Sequence, residues 1–271
     1  MDIVAIITAA ATVAGVGLFV GIFLGVAGKA LAVETNETEE KIRACLPSNN
    51  CGGCGFASCD AYAKELAAGN APVNACVVGG APVSRELAEL LGTEVGESVR
   101  LVAHLKCSGD CAAAPKKAEY TGVKDCRLAM FSPSKNGKGC IFGCMGFGSC
   151  AEVCPQNAIT VVNGIAHIDR ELCVGCGACA RMCPNSLIEV VEYDAFTVVD
   201  CSSPDKLKTV RESCSAGCIG CGVCAKLCPE KAITMEKNLP VIDRSLCSGC
   251  GACWGKCPTK AIKRFGAKAV S

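Results

Sequence analysis

The chain has 271 residues, of which 26 are cysteines, while Trp, Tyr and Phe number only one, three and eight. So few aromatic side chains beside so many thiols argue against an enzyme built on a conventional hydrophobic core. The 27 basic and 26 acidic residues leave a formal net charge of +1, which gives no general attraction to the phosphates of nucleic acid. The composition therefore leaves a disulfide scaffold or a metal-loaded protein.

The first predicted element is an apolar helix. No charged residue lies between Ile3 and Gly28, and a helix of that length spans a bilayer. A cleaved signal peptide is the alternative, but basic residues do not precede the segment, and its apolar run is longer than is usual in such peptides. We expect a transmembrane anchor at 1–28, followed by an acidic linker at 29–44.

A glycine-rich cysteine cluster characterises residues 45–106. Its thiols are Cys51, Cys54, Cys59 and Cys76. Glycines between the first two allow backbone N–H groups to turn toward cluster sulfurs. We predict that these four cysteines bind a [4Fe–4S] cube in a small N-terminal domain; a structural zinc site is the alternative.

Three later segments carry the spacing C-x2-C-x2-C-x3-C-P, which wraps [4Fe–4S] cubes in bacterial ferredoxins. Zinc sites require neither the third close cysteine nor the Cys-Pro pair. Cysteines two residues apart in such loops are also better placed to share a metal than to form a disulfide. The three runs are Cys173, Cys176, Cys179, Cys183; Cys218, Cys221, Cys224, Cys228; and Cys247, Cys250, Cys253, Cys257.

The runs are parts of an internal repeat, which predicts two ferredoxin modules in tandem. Counterparts at one constant interval are Cys154 and Cys228, Cys173 and Cys247, and Cys183 and Cys257. The predicted boundaries are a connector at 107–139, module 1 at 140–192, a connector at 193–213 and module 2 at 214–271.

In such modules three close thiolates bind one cube and the cysteine before Pro binds the neighbouring cube. The resulting sets are Cys173, Cys176, Cys179 with Cys154; Cys140, Cys144, Cys150 with Cys183; Cys218, Cys221, Cys224 with Cys257; and Cys247, Cys250, Cys253 with Cys228. The second set departs from the motif, because Phe147 occupies the position of Cys221 in module 2 and Cys140 is recruited instead. With the N-terminal site, five cubes are expected.

Five cysteines remain outside these sets, besides Cys45, which is expected to be a buried apolar residue. They are Cys107, Cys111, Cys126, Cys201 and Cys214. One interpretation is a sixth cube built from Cys107, Cys111 and Cys126 with one more thiol, and the other is simple packing of these side chains. The sequence lacks a Ser/His/Asp set, a zinc-protease motif and a P-loop, so no active site is predicted apart from the clusters.

The apolar helix, the acidic linker, the Cys51 to Cys76 domain and the ferredoxin modules together resemble the B subunit of the Rnf ion-translocating electron-transport complexes. We therefore expect an α+β fold with a single transmembrane helix, a small cluster-binding domain and tandem bacterial-type ferredoxin modules. The resemblance implies a component of an ion-translocating ferredoxin:NAD oxidoreductase, with soluble ferredoxin as electron donor and other membrane and peripheral subunits as partners. Such complexes couple ferredoxin oxidation and NAD reduction to Na+ or H+ movement.

A reducing compartment is required for cube assembly, which predicts cluster domains on the cytoplasmic side of the cytoplasmic membrane. Two other functions share some of these features. A membrane-bound polyferredoxin that serves a hydrogenase or another oxidoreductase would share every ligand, although the Cys51 to Cys76 domain favours the Rnf interpretation. A zinc-binding scaffold would be colourless, whereas iron–sulfur protein is brown.

Overall fold

The computed structural model describes residues 3–30, 36–96, 99–194 and 197–264. Residues 31–35 of the predicted linker and 265–271 of predicted module 2 lie outside that description. The chain forms two compact units, 1–41 and 42–271.

The first unit contains helix α1, Ile3–Ala30. Its side chains are described at Ile7 and 11–27 and are almost all exposed, Phe19 to 71 %. Within the described residues, a helix with the length and apolar character needed to cross a membrane is not found. The span predicted at 1–28 is therefore not found among them.

Helix α2, Glu37–Cys45, follows with Glu37, Glu39 and Glu40 in its first turn. Acidic side chains are favourable there because the N-terminal end of a helix carries partial positive charge. The linker predicted at 29–44 is thus helical over most of its described part.

The second unit opens with a small helical domain. Helix α3, Cys59–Ala67, begins at Ser58, whose hydroxyl accepts a hydrogen bond from the amide of Ala61 at 3.1 Å. Helix α4, Gly80–Leu91, ends at Gly92 in the left-handed conformation. The apolar core between them is formed by Ile42, Leu46, Tyr62, Leu66 and Leu87.

Among the described residues in the rest of the unit, eight short strands form four antiparallel pairs, two in each module. In module 1, β1 (Leu101–Leu105) pairs with β4 (Ile188–Glu192), and β2 (Ile159–Val162) pairs with β3 (Ile165–Ile168). In module 2, β5 (Thr197–Val199) pairs with β8 (Ile262–Arg264), and β6 (Ile233–Glu236) pairs with β7 (Leu239–Ile242). Strands β2 and β4 begin at Ile159 and Ile188, after the Cys-Pro turns of module 1.

The outer strands extend both modules beyond the boundaries that the cysteine runs suggest. Strand β1 lies in the sequence before the predicted connector at 107–139, yet it pairs with the last strand of module 1. Strand β5 lies inside the predicted connector at 193–213, yet it pairs with the last strand of module 2. Such pairing depends on residues distant in the sequence, so the local cysteine pattern does not reveal it.

Short helices follow the cysteine loops: α6 (Ser149–Glu152), α7 (Ala178–Met182), α9 (Val223–Leu227) and α10 (Ala252–Gly255). Each begins after a left-handed glycine, such as Gly177 at φ 73°, a conformation that costs glycine little. The second residue of each helix is a buried cysteine: Cys150, Cys179, Cys224 and Cys253. Helices α5 (Cys126–Ala129) and α8 (Leu207–Ser213) lie in the connectors.

Thiols and strand residues share the module cores. Ile159, Ile165 and Ile188 pack with Cys150 and Cys179 in module 1. Module 2 has a smaller core with Ile233, Ile262, Cys224 and Cys253. The mixed helix and strand content agrees with the expected α+β class.

Candidate iron–sulfur centres

The cysteine side chains are free thiols throughout, so the structure has no disulfide scaffold among the residues it describes. The loops gather most of these thiols into groups. Thiols that share a metal centre must lie together in this way.

The N-terminal group contains Cys54, Cys59 and Cys76. Burial raises the pKa of the Cys76 thiol, and the neighbouring thiols of Cys54 and Cys59 raise it further, while the amide of Gly79 donates to its Sγ at 3.4 Å. The side-chain oxygen of Asn50 accepts from the amide of Cys59 at 2.8 Å. That bond folds the loop back on the start of α3, with Cys51 beside Asn50.

The first group of module 1 brings together the predicted set of Cys154, Cys173, Cys176 and Cys179. Burial, followed by the neighbouring thiols of Cys173, Cys176 and Cys154, raises the pKa of Cys179 to about 11. Backbone amides point at two of the sulfurs: Ala103 donates to Cys173 and Ala158 to Cys154, both at 3.3 Å.

The second group of module 1 differs from the predicted set. Cys126, Cys144, Cys150 and Cys183 line one cavity, and Cys140 is not among them. Burial, followed by the thiols of Cys144 and Cys126, raises the pKa of Cys150 to about 12. This cavity therefore has the thiol of Cys126 where the spacing suggested that of Cys140.

Cys126 reaches this group through a polar contact between α5 and α6. The Asp125 carboxylate caps α5 by accepting from the amides of Arg127 and Leu128. The Ser149 hydroxyl donates to Asp125 at 3.1 Å and accepts from the amide of Cys126 at 2.9 Å. The start of α5 is thus fixed against the start of α6, which places the Cys126 thiol near that of Cys150.

Both groups of module 2 bring together predicted ligands. Cys218 and Cys257 lie near Cys224, and burial followed by neighbouring thiols raises the pKa of Cys218 to about 11. Cys221 also lies near Cys224 and is exposed. The last group lines one cavity with Cys228, Cys247, Cys250 and Cys253.

The remaining thiols do not form the sixth group that the sequence suggested. Cys107, Cys140, Cys201 and Cys214 line a further cavity, whereas Cys126 belongs to the second group of module 1. Cys111 lies apart from that cavity lining, beside Gly164. Cys45, which was expected to be buried, is partly buried and packs against the N-terminal core.

The donor sets fit polynuclear clusters. In the described part of the chain, a group of three or more His, Cys, Asp or Glu side chains arranged for a single metal ion is not found. A [4Fe–4S] cube spreads its thiolates over separate irons, so its ligands stand farther apart than those of one ion. Crowded thiols with raised pKa values ionise together only when a cationic centre compensates their charge. The N–H donors then stabilise the thiolate sulfurs.

Three segments match families of iron–sulfur proteins. Residues 46–78 match the family described as "Putative Fe-S cluster". Residues 142–194 match the LdpA Fe-S cluster-binding domain, and 217–261 match the 4Fe-4S dicluster domain.

Curated relatives extend the similarity over most of the chain. The B subunit of the Na(+)-translocating ferredoxin:NAD(+) oxidoreductase complex of Acetobacterium woodii is 42 % identical, over 84 % of this chain and 68 % of the relative. The B subunit of the proton-translocating complex of Clostridium ljungdahlii is 43 % identical, over 85 % of this chain and 82 % of the relative. The chain belongs to this family of B subunits. A third member, from Methanosarcina acetivorans, is 38 % identical over 88 % of this chain and 90 % of its own length.

Membership of this family agrees with the resemblance drawn from the cysteine pattern. The iron–sulfur families cover the N-terminal group, module 1 and module 2 in chain order. Iron–sulfur cofactors and an electron-transfer role follow from that membership.

Proposed function

We propose that this chain is the electron-carrying arm of an Rnf-type complex that oxidises reduced soluble ferredoxin and reduces NAD, coupled to Na+ or H+ translocation. Its curated relatives carry the names of such complexes, with Na+ in one and the proton in another. The chain itself supplies sites for redox centres, and partner subunits supply the NAD and ion sites.

Five [4Fe–4S] cubes form the proposed relay, and when bound each supplies a one-electron couple. The proposed ligand sets are Cys51, Cys54, Cys59, Cys76; Cys154, Cys173, Cys176, Cys179; Cys126, Cys144, Cys150, Cys183; Cys218, Cys221, Cys224, Cys257; and Cys228, Cys247, Cys250, Cys253. The first, second, fourth and fifth sets keep the predicted ligands, and the third exchanges Cys140 for Cys126.

The observation that carries the proposal is the contact between successive groups. Cys51 lies close enough to Cys176 for its charge to raise the pKa of that thiol, after burial. Cys150 of the third set is close in the same way to Cys179 of the second. Electron transfer requires short gaps between redox centres, so the protein's part is to hold these groups side by side.

Membrane attachment through α1 is part of the proposal. The sequence from Ile3 to Gly28 is uncharged, and Leu18, Phe19 and Phe23 expose more than half of their side-chain surfaces. Exposed apolar side chains on such a helix favour a lipid or protein environment over water. We place the clusters on the cytoplasmic side, because cubes are assembled in a reducing compartment.

The test is anoxic affinity purification of the full chain in mild detergent, with mass spectrometry of the proteins that accompany it. We expect to recover flavin-carrying subunits, multi-span membrane subunits and an NADH-binding subunit. The purified complex should reduce NAD in a ferredoxin-dependent reaction. A matched chain with Cys176→Ala should assemble with the same subunits but contain less iron and reduce NAD more slowly.

Other outcomes would overturn the proposal. Recovery of hydrogenase subunits would make the chain an anchored polyferredoxin. A colourless preparation that contains zinc and no iron would make it an assembly scaffold.

A further inference from the structure

Four cysteines outside the five proposed sets surround one cavity at the junction of the two modules. They are Cys107, Cys140, Cys201 and Cys214. A Cβ atom at Gly109 would lie 3.3 Å from Sγ of Cys214 and 3.6 Å from Sγ of Cys107. A Cβ atom at Gly143 would lie 3.5 Å and 3.7 Å from the sulfurs of Cys107 and Cys140. Glycine at both positions leaves space among the thiols that any side chain would fill.

The four thiols are two pairs that the module repeat relates. Cys107 comes two residues after strand β1 ends, and Cys201 comes two residues after β5 ends. Cys140 and Cys214 are counterparts at the same interval that relates Cys154 to Cys228. Each module thus presents one cysteine after its first strand and one ahead of its first cysteine loop, and all four meet in one cavity.

Burial raises the pKa values of the Cys107, Cys140 and Cys214 thiols, and polar groups around the cavity offset part of that effect. The amides of Gly109 and Cys144 each donate to Sγ of Cys107 at 3.4 Å. Lys138 is buried, and its ammonium donates to the carbonyls of Gly109 at 2.9 Å and Cys144 at 3.0 Å. A fixed positive charge and two N–H donors stabilise a negatively charged metal-thiolate centre.

The cavity also lies between groups already assigned to each module. The amide of Cys144, whose thiol belongs to module 1, is the group that donates to Cys107. On the other side, the Cys201 thiol is near enough to Cys218 of module 2 to raise its pKa, after burial. The two modules otherwise have separate ligand sets.

We propose that Cys107, Cys140, Cys201 and Cys214 bind a sixth [4Fe–4S] cube that joins the two ferredoxin modules, with two ligands from each. The role of this cube as a step in the electron relay rests on the proposed function. The assignment of its four ligands does not depend on that function. One electron enters the site from one module and leaves to the other, with reduced ferredoxin as the original donor. No bond is made or broken, and no proton transfer is needed.

The test counts metal in the full chain after anoxic loading. The variant Cys201→Ser/Cys214→Ser should contain about four fewer iron atoms per chain than the wild type. The variant Cys107→Ser/Cys140→Ser should lose the same amount, and the quadruple variant should lose no more. The matched control Cys45→Ser/Cys111→Ser, which also removes two thiols, should keep its full iron content.

Three results would overturn the site: full iron in either double variant, loss of zinc in place of iron, or a quadruple variant that loses about eight irons. Anomalous scattering at the iron edge from wild-type crystals decides the matter if the variants do not fold. Iron among the four sulfurs supports the site, and its absence there overturns it. Failure of the proposed function would give a different result. The wild-type chain would contain its full iron, but reduced ferredoxin would not transfer electrons to it.

Discussion

Arg181 on α7 donates a hydrogen bond to the backbone carbonyl of Cys51, and its second terminal nitrogen lies 3.5 Å from the carbonyl of Cys176. One guanidinium thus joins the N-terminal cysteine loop to the first cysteine loop of module 1. Gly53 completes the contact, since a Cβ there would lie 3.1 Å from the Cα of Cys176. Two of the proposed ligand sets meet at this contact, one through Cys51 and the other through Cys176.

Replacing Arg181 by Ala should loosen this contact and slow electron transfer between the N-terminal site and module 1. Electron transfer slows as the gap between redox centres widens, so the rate between these two sites should fall. Rapid-freeze electron paramagnetic resonance after mixing with reduced ferredoxin measures the rate at which each cluster signal appears. Arg211→Ala, at an exposed arginine on α8, is the control and should behave as wild type; equal rates in both variants would show that the contact does not set the rate.

The proposed role of Cys126 as a cluster ligand can be tested together with Phe147, which occupies the motif position of a cysteine. The variant Cys126→Ser should lose part or all of the module 1 cube that Cys144 and Cys150 hold, because one ligand is removed. Adding Phe147→Cys should restore the iron, since that position carries a ligand in module 2. Iron content and cluster absorption measure both effects. Full iron in Cys126→Ser alone would remove Cys126 from the ligand set.

This exchange shows which ligands a sequence can reveal. The predicted sets that the structure brings together come from loops with short, regular spacing, where chain geometry alone places the thiols. Cys126 is different, because it reaches Cys150 through the hydrogen bonds of Asp125 and Ser149. Nothing in its spacing indicates that contact, although the missing thiol at Phe147 shows that a substitute is needed.

Contacts between distant parts of the chain also explain why the sequence did not predict the modules' outer strands and the grouping of the cysteines after them. Strands β1 and β5 are short, and their partners lie far along the chain. Strand position relates Cys201 to Cys107, because each comes two residues after the end of its module's first strand. The repeat interval did not show this, since the segment from Cys107 to Cys140 is longer than that from Cys201 to Cys214.

The carboxylate of Asp200 links the two modules. Its carboxylate lies 3.0 Å from Nε2 of His104 on β1 and 2.8 Å from Nζ of Lys263 on β8. Burial raises its pKa, but the bonds from His104 and Lys263 outweigh burial and hold the pKa below its ordinary 3.8. A carboxyl group whose pKa is lower in the folded than in the unfolded state stabilises the fold at pH values above its unfolded-state pKa. This contribution is lost as the pH falls through the folded-state pKa.

We expect Asp200→Asn to lower the free energy of unfolding by about 1–3 kcal/mol at pH 7. The difference from wild type should stay constant down to about pH 5 and narrow below about pH 4. Anoxic thermal unfolding followed by circular dichroism measures it. Asp194→Asn, at an exposed carboxylate, is the control. An Asp200 variant as stable as that control at pH 7 would show that the charge linkage contributes nothing.

The anchor can be tested in the full chain. Phe19→Arg with Phe23→Arg places two charges in α1, each unfavourable in a bilayer by about 2.5–3.5 kcal/mol. The variant should move from the membrane to the soluble fraction and remain brown. Phe19→Leu with Phe23→Leu keeps the helix apolar and should stay with the membrane. Equal membrane retention of both variants would mean that α1 is not the attachment.

The proposed relay depends on electron transfer from soluble ferredoxin to the clusters of this chain, and this step can be measured directly. The loaded wild-type chain, purified with its partner subunits, is mixed with reduced soluble ferredoxin in a stopped-flow instrument while visible absorption is recorded. We predict that the cluster absorption of the chain bleaches as ferredoxin is oxidised, before NADH appears. Ferredoxin that stays reduced beside a chain that dithionite reduces readily would contradict the account.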